Sequence, residues 1–163
     1  MYAIWLLFNK TDTKYLKKII KEFSNEFDSP IFVPHITVYA LLNLDIKLIK
    51  KIVKRSIQDI EPFIIEKSRI KESDEIWKTL FVEIKMNREL NAINNNLKFE
   101  LIKSSKYKFS PHISLLYKKT KKKNRILSVK NLKIKTKFQI DKIGILKFSN
   151  NVNEWKIIKT IKF

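Results

Sequence analysis

Apolar and polar residues follow one another along this chain in patterns that predict both strands and helices. Residues 2–8 (YAIWLLF) are continuously apolar and β-type, which predicts a buried strand. Residues 13–27 carry apolar side chains at three- and four-residue steps, which predicts a helix with one apolar face, and Asp12 is its predicted cap. The Asp-Ser-Pro sequence at 28–30 ends this helix, and residues 32–40 (FVPHITVYA) predict the next strand.

The rest of the chain continues this succession of short elements. The further predicted elements are a helix over 45–57, strands over 63–70 and 78–85, a helix from Asn87 to Lys103, a strand over 108–117, a short helix within the basic stretch 118–131, and a terminal hairpin that turns near 149–151. The predicted order is therefore β-α-β-α-β-β-α-β-α-β-β. No Pro-, Gly- or Ser-rich linker interrupts this order, so we expect a single domain over residues 1–163.

Each half of this order contains helices and one strand that reads Pro-His-Ile followed by Thr or Ser. The match between the halves is short, but it suggests an internal duplication. The expected fold class is therefore α+β and bilobal, with two antiparallel sheets that carry helices on their outer faces. The two lobes are expected to meet at a central cleft, and each contributes one histidine strand.

Composition supports a globular domain and narrows its chemistry. Hydrophobic residues make up 44% of the 163 residues, which is enough for a core. No apolar run approaches the roughly 20 residues that a bilayer-spanning helix needs. The apolar stretch at the start has neither a basic segment before it nor a small-residue cleavage site after it, so we interpret it as a strand and expect a cytoplasmic protein. The absence of cysteine excludes disulfides, thiolate chemistry and Cys-ligated zinc.

The formal net charge of +19 has two interpretations. A strongly basic surface favours anionic partners such as nucleic acid, nucleotides or phosphorylated metabolites. However, only four of the 35 basic residues are arginine, the side chain that grips phosphate with two parallel hydrogen bonds. An AT-rich coding sequence would also produce a chain rich in Lys, Ile and Asn, so both interpretations stay open.

The only two histidines of the chain offer the clearest chemical signal. Because side chains alternate across a strand, His35 shares a face with Thr37, and His112 shares a face with Ser114. Each strand therefore presents an imidazole and a hydroxyl side by side. A proline precedes each histidine and marks a strand start or an edge, where a site could open.

Two imidazoles that face one cleft can divide acid–base work, because histidine has both protonation states available near neutrality. The hydroxyls of Thr37 and Ser114 can hydrogen-bond phosphate oxygens. Two histidines without nearby carboxylates make a poor zinc or iron site, so we expect no metal and no other cofactor. A single histidine in such a strand is more often a structural residue, but the repetition of the tetrapeptide around both histidines favours function.

At these residues the sequence resembles the 2H phosphoesterase superfamily, which is defined by two H-x-[T/S]-x motifs. Here the motifs read HITV at 35–38 and HISL at 112–115, separated by 77 residues. The longer stretch PHISLLYK resembles the P-H-x-S-L-L-Y-G pattern of the cyclic phosphodiesterase branch known from plants and yeast. A tryptophan in the first strand, Trp5 here, is also typical of that branch.

The resemblance implies a bilobal fold with pseudo-twofold symmetry and metal-free hydrolysis of ribose cyclic phosphates. The suggested substrates are nucleoside 2′,3′-cyclic phosphates and ADP-ribose 1″,2″-cyclic phosphate. One of His35 and His112 would activate water while the other protonates the departing ribose oxygen. By the same resemblance Thr37 and Ser114 would bind the phosphate, and Trp5 and Tyr117 would flank the pocket against the base or ribose. Tyr117 lies an odd number of residues after His112, so strand alternation alone puts it on the opposite face unless the strand ends or bulges.

One departure from the pattern concerns the residue after Tyr117. The branch has glycine there, whereas this chain has Lys118, which either reaches the substrate phosphate or belongs to a different loop.

We expect the protein to be a monomer that binds a small cyclic-phosphate nucleotide and does not bind a membrane. Two alternatives remain: a 2H enzyme that acts on RNA termini or cyclic oligonucleotides, as 2′-5′ RNA ligase-like members do, and a non-catalytic RNA- or nucleotide-binding module.

Overall fold

A computed structural model describes all residues from 1 to 163 and contains four helices and seven strands in the predicted order. The elements are β1 (Tyr2–Phe8), α1 (Lys10–Phe27), β2 (His35–Leu42), α2 (Ile46–Ser56), β3 (Phe63–Glu72), β4 (Leu80–Ile84), α3 (Arg88–Leu101), β5 (His112–Leu116), α4 (Lys122–Asn131), β6 (Lys137–Lys147) and β7 (Lys156–Lys162). Short 3₁₀ turns lie at Ile76–Lys78 and Val152–Glu154. No helix has both the length and the apolar character needed to cross a membrane.

The strands form one antiparallel path in the order β2-β1-β6-β3-β4-β5, with β7 added beside β6. Strand β3 connects the two halves of this path. Its first part, Phe63–Glu66, pairs with β6, whereas the part from Lys67 to Glu72 pairs with β4. The two expected antiparallel sheets are therefore present as two halves that share β3.

Helices α1 and α3 relate the two halves to each other. Helix α1 follows β1 and packs against β5, whereas α3 follows β4 and packs against β2. Each of these helices thus covers the histidine strand of the opposite half, and their apolar residues join a continuous buried core of 34 side chains. This exchange brings β2 and β5 together, although they are the two end strands of the sheet path.

The first helix begins earlier than the sequence pattern predicts. Asn9 is the N-cap, and its side-chain oxygen accepts a hydrogen bond from the Asp12 backbone nitrogen at 2.8 Å. The prediction that Asp12 caps this helix is therefore wrong. The Asp12 carboxylate instead accepts from the backbone nitrogen of Gln139 at 2.7 Å and pairs with Lys135, so it fastens α1 to the start of β6.

Candidate active site

His35 and His112 occupy the same position in their strands, because each is the first residue of β2 or β5. The Nδ1 atom of His35 lies 2.6 Å from the carbonyl oxygen of Val33, and the Nδ1 atom of His112 lies 2.6 Å from that of Ser110. A carbonyl oxygen only accepts, so both Nδ1 atoms carry the hydrogen and donate it. Both Nε2 atoms are left without a hydrogen and can accept a proton.

The surroundings of the two imidazoles keep both rings neutral. Burial lowers the pKa of His35 to about 3, the hydrogen bond to Val33 opposes this, and the nearby charge of His112 lowers it further. Burial also lowers the pKa of His112, with the Ser110 carbonyl opposing and the Lys78 ammonium adding to the shift.

A β-bulge follows each histidine at the same distance. In β2, Thr37 pairs with Trp5 but the next paired residue is Tyr39, so Val38 is unpaired. In β5, the register moves from Ser114 directly to Leu116 in the same way. The equivalent bulges, each three residues after its histidine, support the pseudo-twofold relation between the halves.

The bulge in β5 brings Tyr117 to the site. It shifts the alternation of side chains by one residue, so Tyr117 turns to the face that carries His112 and Ser114. The Tyr117 hydroxyl lies 3.5 Å from the Nε2 atom of His35. Burial raises the pKa of this hydroxyl, which therefore stays protonated. Tyr117 thus links the second motif strand directly to the first histidine.

Trp5 lies against the first histidine and also lines a hollow of about 260 Å³. Its indole and the imidazole of His35 are stacked, with ring centroids 3.4 Å apart and an interplanar angle of 10°. Trp5 is itself buried, and His35 is only 5% exposed. In the other half, Phe81 meets His112 edge-on at 5.6 Å. The two histidines therefore have unlike aromatic supports.

The two motif hydroxyls differ in their present contacts. Thr37 is half-buried on β2. Ser114 is buried, and its Oγ donates a hydrogen bond to the backbone oxygen of Trp77 at 2.8 Å. The structure thus brings Trp5, His35 and Tyr117 into direct contact and attaches Ser114 to a neighbouring turn.

Sequence reasoning missed two tryptophans beside this site. Trp155, from the turn before β7, has its ring centroid 6.2 Å from His35 and 5.7 Å from Tyr117. Trp77, from the turn before β4, lies 5.4 Å from Tyr117. Both lie in turns between paired strands, where a core needs no large aromatic residue. A tryptophan in a predicted turn was the sequence signal that could have identified these two residues.

Lys118 points to a structural partner rather than to the histidines. Its ammonium donates to the backbone oxygen of Asp28 at 2.6 Å and to the carboxylate of Asp28 at 3.0 Å. Asp28 ends α1 in the left-handed conformation. Lys118 therefore joins the end of β5 to the end of α1.

Around the site, as elsewhere in the chain, no three His, Cys, Asp or Glu side chains come together as a set of metal ligands.

Comparisons with known proteins found a matching family model and a curated relative. A family model described as cyclic phosphodiesterase-like protein matches residues 1–163. A curated relative from Arabidopsis thaliana, named cyclic phosphodiesterase, is 24% identical over 117 residues, which cover 72% of this chain and 65% of that protein's length.

Solved structures show the same fold at low sequence identity. Escherichia coli LigT, in a crystal structure complexed with 3′-AMP, has a TM-score of 0.64 at 11% identity, with 99% of this chain and 96% of that chain covered. A protein from Thermus thermophilus gives a TM-score of 0.64 at 10% identity over the same shares of the two chains.

Proposed function

Because the chain belongs to the cyclic phosphodiesterase-like protein family, we propose that it is an enzyme that hydrolyses ribose cyclic phosphates. The proposed substrates are nucleoside 2′,3′-cyclic phosphates or ADP-ribose 1″,2″-cyclic phosphate, and the proposed chemistry uses no metal. One observation carries this proposal. Two neutral imidazoles, on two strands that contact each other, have their Nδ1 atoms anchored to backbone carbonyls, which leaves both Nε2 atoms unprotonated and able to accept a proton.

In the proposed reaction, the Nε2 atom of one histidine takes a proton from water as the water oxygen attacks phosphorus. The bond from phosphorus to one ribose oxygen then breaks, and the imidazolium of the other histidine gives that oxygen its proton. The product is a phosphomonoester. The histidine that acts as the acid needs a proton before the reaction, and the negative charge of a bound phosphate supports this by raising the pKa of an adjacent imidazole.

The remaining predicted site residues take supporting roles in this proposal. Thr37 and Ser114 would donate hydrogen bonds to the phosphate oxygens that do not leave. The Tyr117 hydroxyl would contact the substrate beside the phosphate, which its distance of 3.5 Å from His35 Nε2 supports. The face of Trp5 is already covered by His35, so we assign Trp5 to holding that imidazole rather than to stacking on a base.

The proposed site is complete within one chain, since both motif strands and Tyr117 come from the same protein. We therefore propose a single domain over residues 1–163 in which each lobe contributes one H-x-[T/S]-x motif. A monomer suffices for this chemistry. A cytoplasmic location stays a prediction.

The test is turnover of 2′,3′-cyclic AMP with and without EDTA. We expect EDTA to have no effect, and we expect His35→Ala and His112→Ala each to lower turnover by about 10²- to 10⁴-fold. Circular dichroism would verify that both variants stay folded. Asn95→Ala, an exposed change on α3, is the control that keeps full activity. Turnover near that of the wild type in either folded histidine variant would contradict the proposal.

The net charge of +19 favours one second candidate, a 2H enzyme that acts on RNA termini or on cyclic oligonucleotides. A gel shift with tRNA at two salt concentrations separates it from the first. Tight binding that weakens steeply with salt would support the RNA substrate, whereas absence of a shift together with turnover of the mononucleotide would support the small substrate. Binding without any turnover would instead indicate a non-catalytic module.

A further inference from the structure

Residues 73–79, called the cover turn below, connect β3 to β4 and lie over the second motif strand. Trp77 is central to this contact. Its backbone oxygen accepts the hydrogen bond from Ser114 Oγ at 2.8 Å. Its ring packs 5.4 Å from Tyr117, 5.6 Å from Trp155 and 6.0 Å from Phe148.

The cover turn is held together internally, and its side chains are exposed or partly exposed except for Thr79, which is buried immediately before β4. Ser73 Oγ donates to the Lys78 backbone oxygen at 2.8 Å, and Thr79 Oγ1 donates to the Ile76 backbone oxygen at 3.1 Å. Trp77 remains 37% exposed and Ile76 38% exposed. A segment with internal hydrogen bonds and largely exposed side chains can move as a unit.

The base of the cover turn is fixed. Arg125, which is buried, pairs with Glu72 through its Nε at 2.6 Å and with Asp74 at 2.5 Å. Glu72 is the last residue of β3. The residues beyond Asp74, which include Trp77, have no such ion pair.

In this arrangement the Ser114 hydroxyl is not available to the phosphate of the proposed reaction. A serine hydroxyl has one hydrogen, and that of Ser114 is donated to the Trp77 carbonyl, so it cannot also be donated to a phosphate oxygen. His35 is only 5% exposed, so water and substrate do not reach it freely. When a phosphate binds, the Ser114 hydroxyl has to turn from the Trp77 carbonyl to a phosphate oxygen, and the carbonyl then loses its donor unless the cover turn moves.

We propose that Trp77 is a gating residue: the cover turn closes the site in the unliganded protein, and a phosphate oxygen replaces the Trp77 carbonyl at Ser114 when the turn lifts. This proposal rests on the proposed function. A hollow of about 480 Å³ lies beside the cover turn, lined among others by Trp77, Tyr117, Asp28 and Asn151. It provides open space next to the ring that has to move.

Inorganic phosphate tests the gate, since it carries no base whose stacking could confuse the result. The chain has only two histidines, so ¹⁵N spectra of the imidazoles report on His35 and His112 without overlap. We expect phosphate to bind about tenfold more tightly to Trp77→Ala than to the wild type, because the closed state loses its aromatic contacts and the competent state becomes more populated. Ile76→Ala, in the same turn and equally exposed, should bind phosphate like the wild type.

A second measurement uses the wild-type sequence, so it does not depend on a variant that folds. The three tryptophans give three ¹⁹F signals after labelling with 5-fluorotryptophan, and Trp77→Phe assigns one of them. The Trp77 signal should shift as phosphate is added.

The gating proposal is wrong if Trp77→Ala binds phosphate no more tightly than the wild type. It is also wrong if the ¹⁹F signal of Trp77 stays constant at saturating phosphate. If 2′,3′-cyclic AMP is still hydrolysed in a histidine-dependent way, the proposed function survives that result. Absence of both turnover and phosphate-induced imidazole shifts would overturn the proposed function together with the gate.

Discussion

At the scale of single residues, short backbone contacts decide what each histidine can do. The carbonyl two residues before each histidine fixes the imidazole tautomer, since it leaves only Nε2 available. For His35 the stacked Trp5 ring adds burial, which is the main cause of its low pKa. The same burial that shapes the site should therefore make the stability of the fold depend on pH.

Acidification should destabilise the protein through His35. Its pKa is about 3 in the folded state and near 6.5 when unfolded, so between these values the unfolded chain binds more protons and stability falls as the pH falls. At pH 4 the loss attributable to His35 is up to about 3 kcal/mol relative to pH 7. Urea denaturation over this range measures it, with His35→Gln as the comparison, because glutamine does not titrate. Identical pH dependence in the two proteins would show that His35 is not protonated on unfolding.

Removal of the Tyr117 hydroxyl should slow the enzyme without unfolding it. Tyr117→Phe keeps the ring that stacks on Phe32 at 4.0 Å and removes only the group near His35 Nε2. We expect turnover of 2′,3′-cyclic AMP to fall about tenfold, the equivalent of one hydrogen bond. Tyr15→Phe makes the same chemical change outside the site and should retain wild-type turnover. If Tyr117→Phe and Tyr15→Phe turn over substrate at the same rate, the Tyr117 hydroxyl has no role in the reaction.

At the scale of elements, the bulges in β2 and β5 matter more than the lengths of the strands. Each inserts one unpaired residue after the histidine and hydroxyl positions, Val38 in one strand and Leu115 in the other. The first part of each strand then presents the motif, and the part beyond the bulge presents a different set of side chains. In β5 this change of face is what carries Tyr117 to His35.

The caps of the long helices are a second feature at this scale. Asn87 caps α3 by accepting a hydrogen bond from the Leu90 backbone nitrogen at 2.9 Å. Asn87→Ala should lower the free energy of unfolding by about 1 kcal/mol, because that nitrogen loses its partner. Asn95→Ala, an exposed change inside the same helix, should instead raise it slightly, since alanine is the better helix former. Chemical denaturation of the two variants measures both changes in the free energy of unfolding. An Asn87→Ala protein as stable as the wild type would contradict the prediction.

At the scale of the whole molecule, the formal charge of +19 should act on substrate encounter. A positive field raises the local concentration of anions and weakens as salt screens it. We expect the KM for 2′,3′-cyclic AMP to rise several-fold between about 0.02 M and about 0.3 M NaCl while kcat stays constant. Steady-state kinetics measures both values. A flat KM would indicate that the charge has no part in capturing a small substrate and would favour the compositional explanation.

The packing of the two halves against each other also concerns the whole molecule. Helix α1 lies on β5 and α3 lies on β2, so each histidine strand is covered by a helix that belongs to the opposite half of the chain. Neither half can bury its apolar surface alone in this arrangement. The same exchange brings the two motifs together, so formation of the core and assembly of the site are a single event.

The order of the elements could be predicted from sequence because apolar periodicity is a local property. The cap at Asn87, the helix that Asp45 begins and the terminal hairpin are all confirmed. The boundary of α1 was predicted wrongly because Asp12 has a side chain that favours the cap position, whereas Asn9, three residues earlier, holds that position. Only the distant partners of Asp12, which are Lys135 and Gln139, decide between them.

The elements, the two histidine motifs and their resemblance to a family of phosphoesterases could all be read from residue type and spacing, since each depends only on a short stretch of the chain. Tertiary structure alone decided that Tyr117 meets His35, that Trp5 supports an imidazole, and that the Trp77 carbonyl occupies Ser114. These contacts join residues between 30 and 82 positions apart along the chain. They follow from strand register, bulges and turn packing, which local periodicity does not encode.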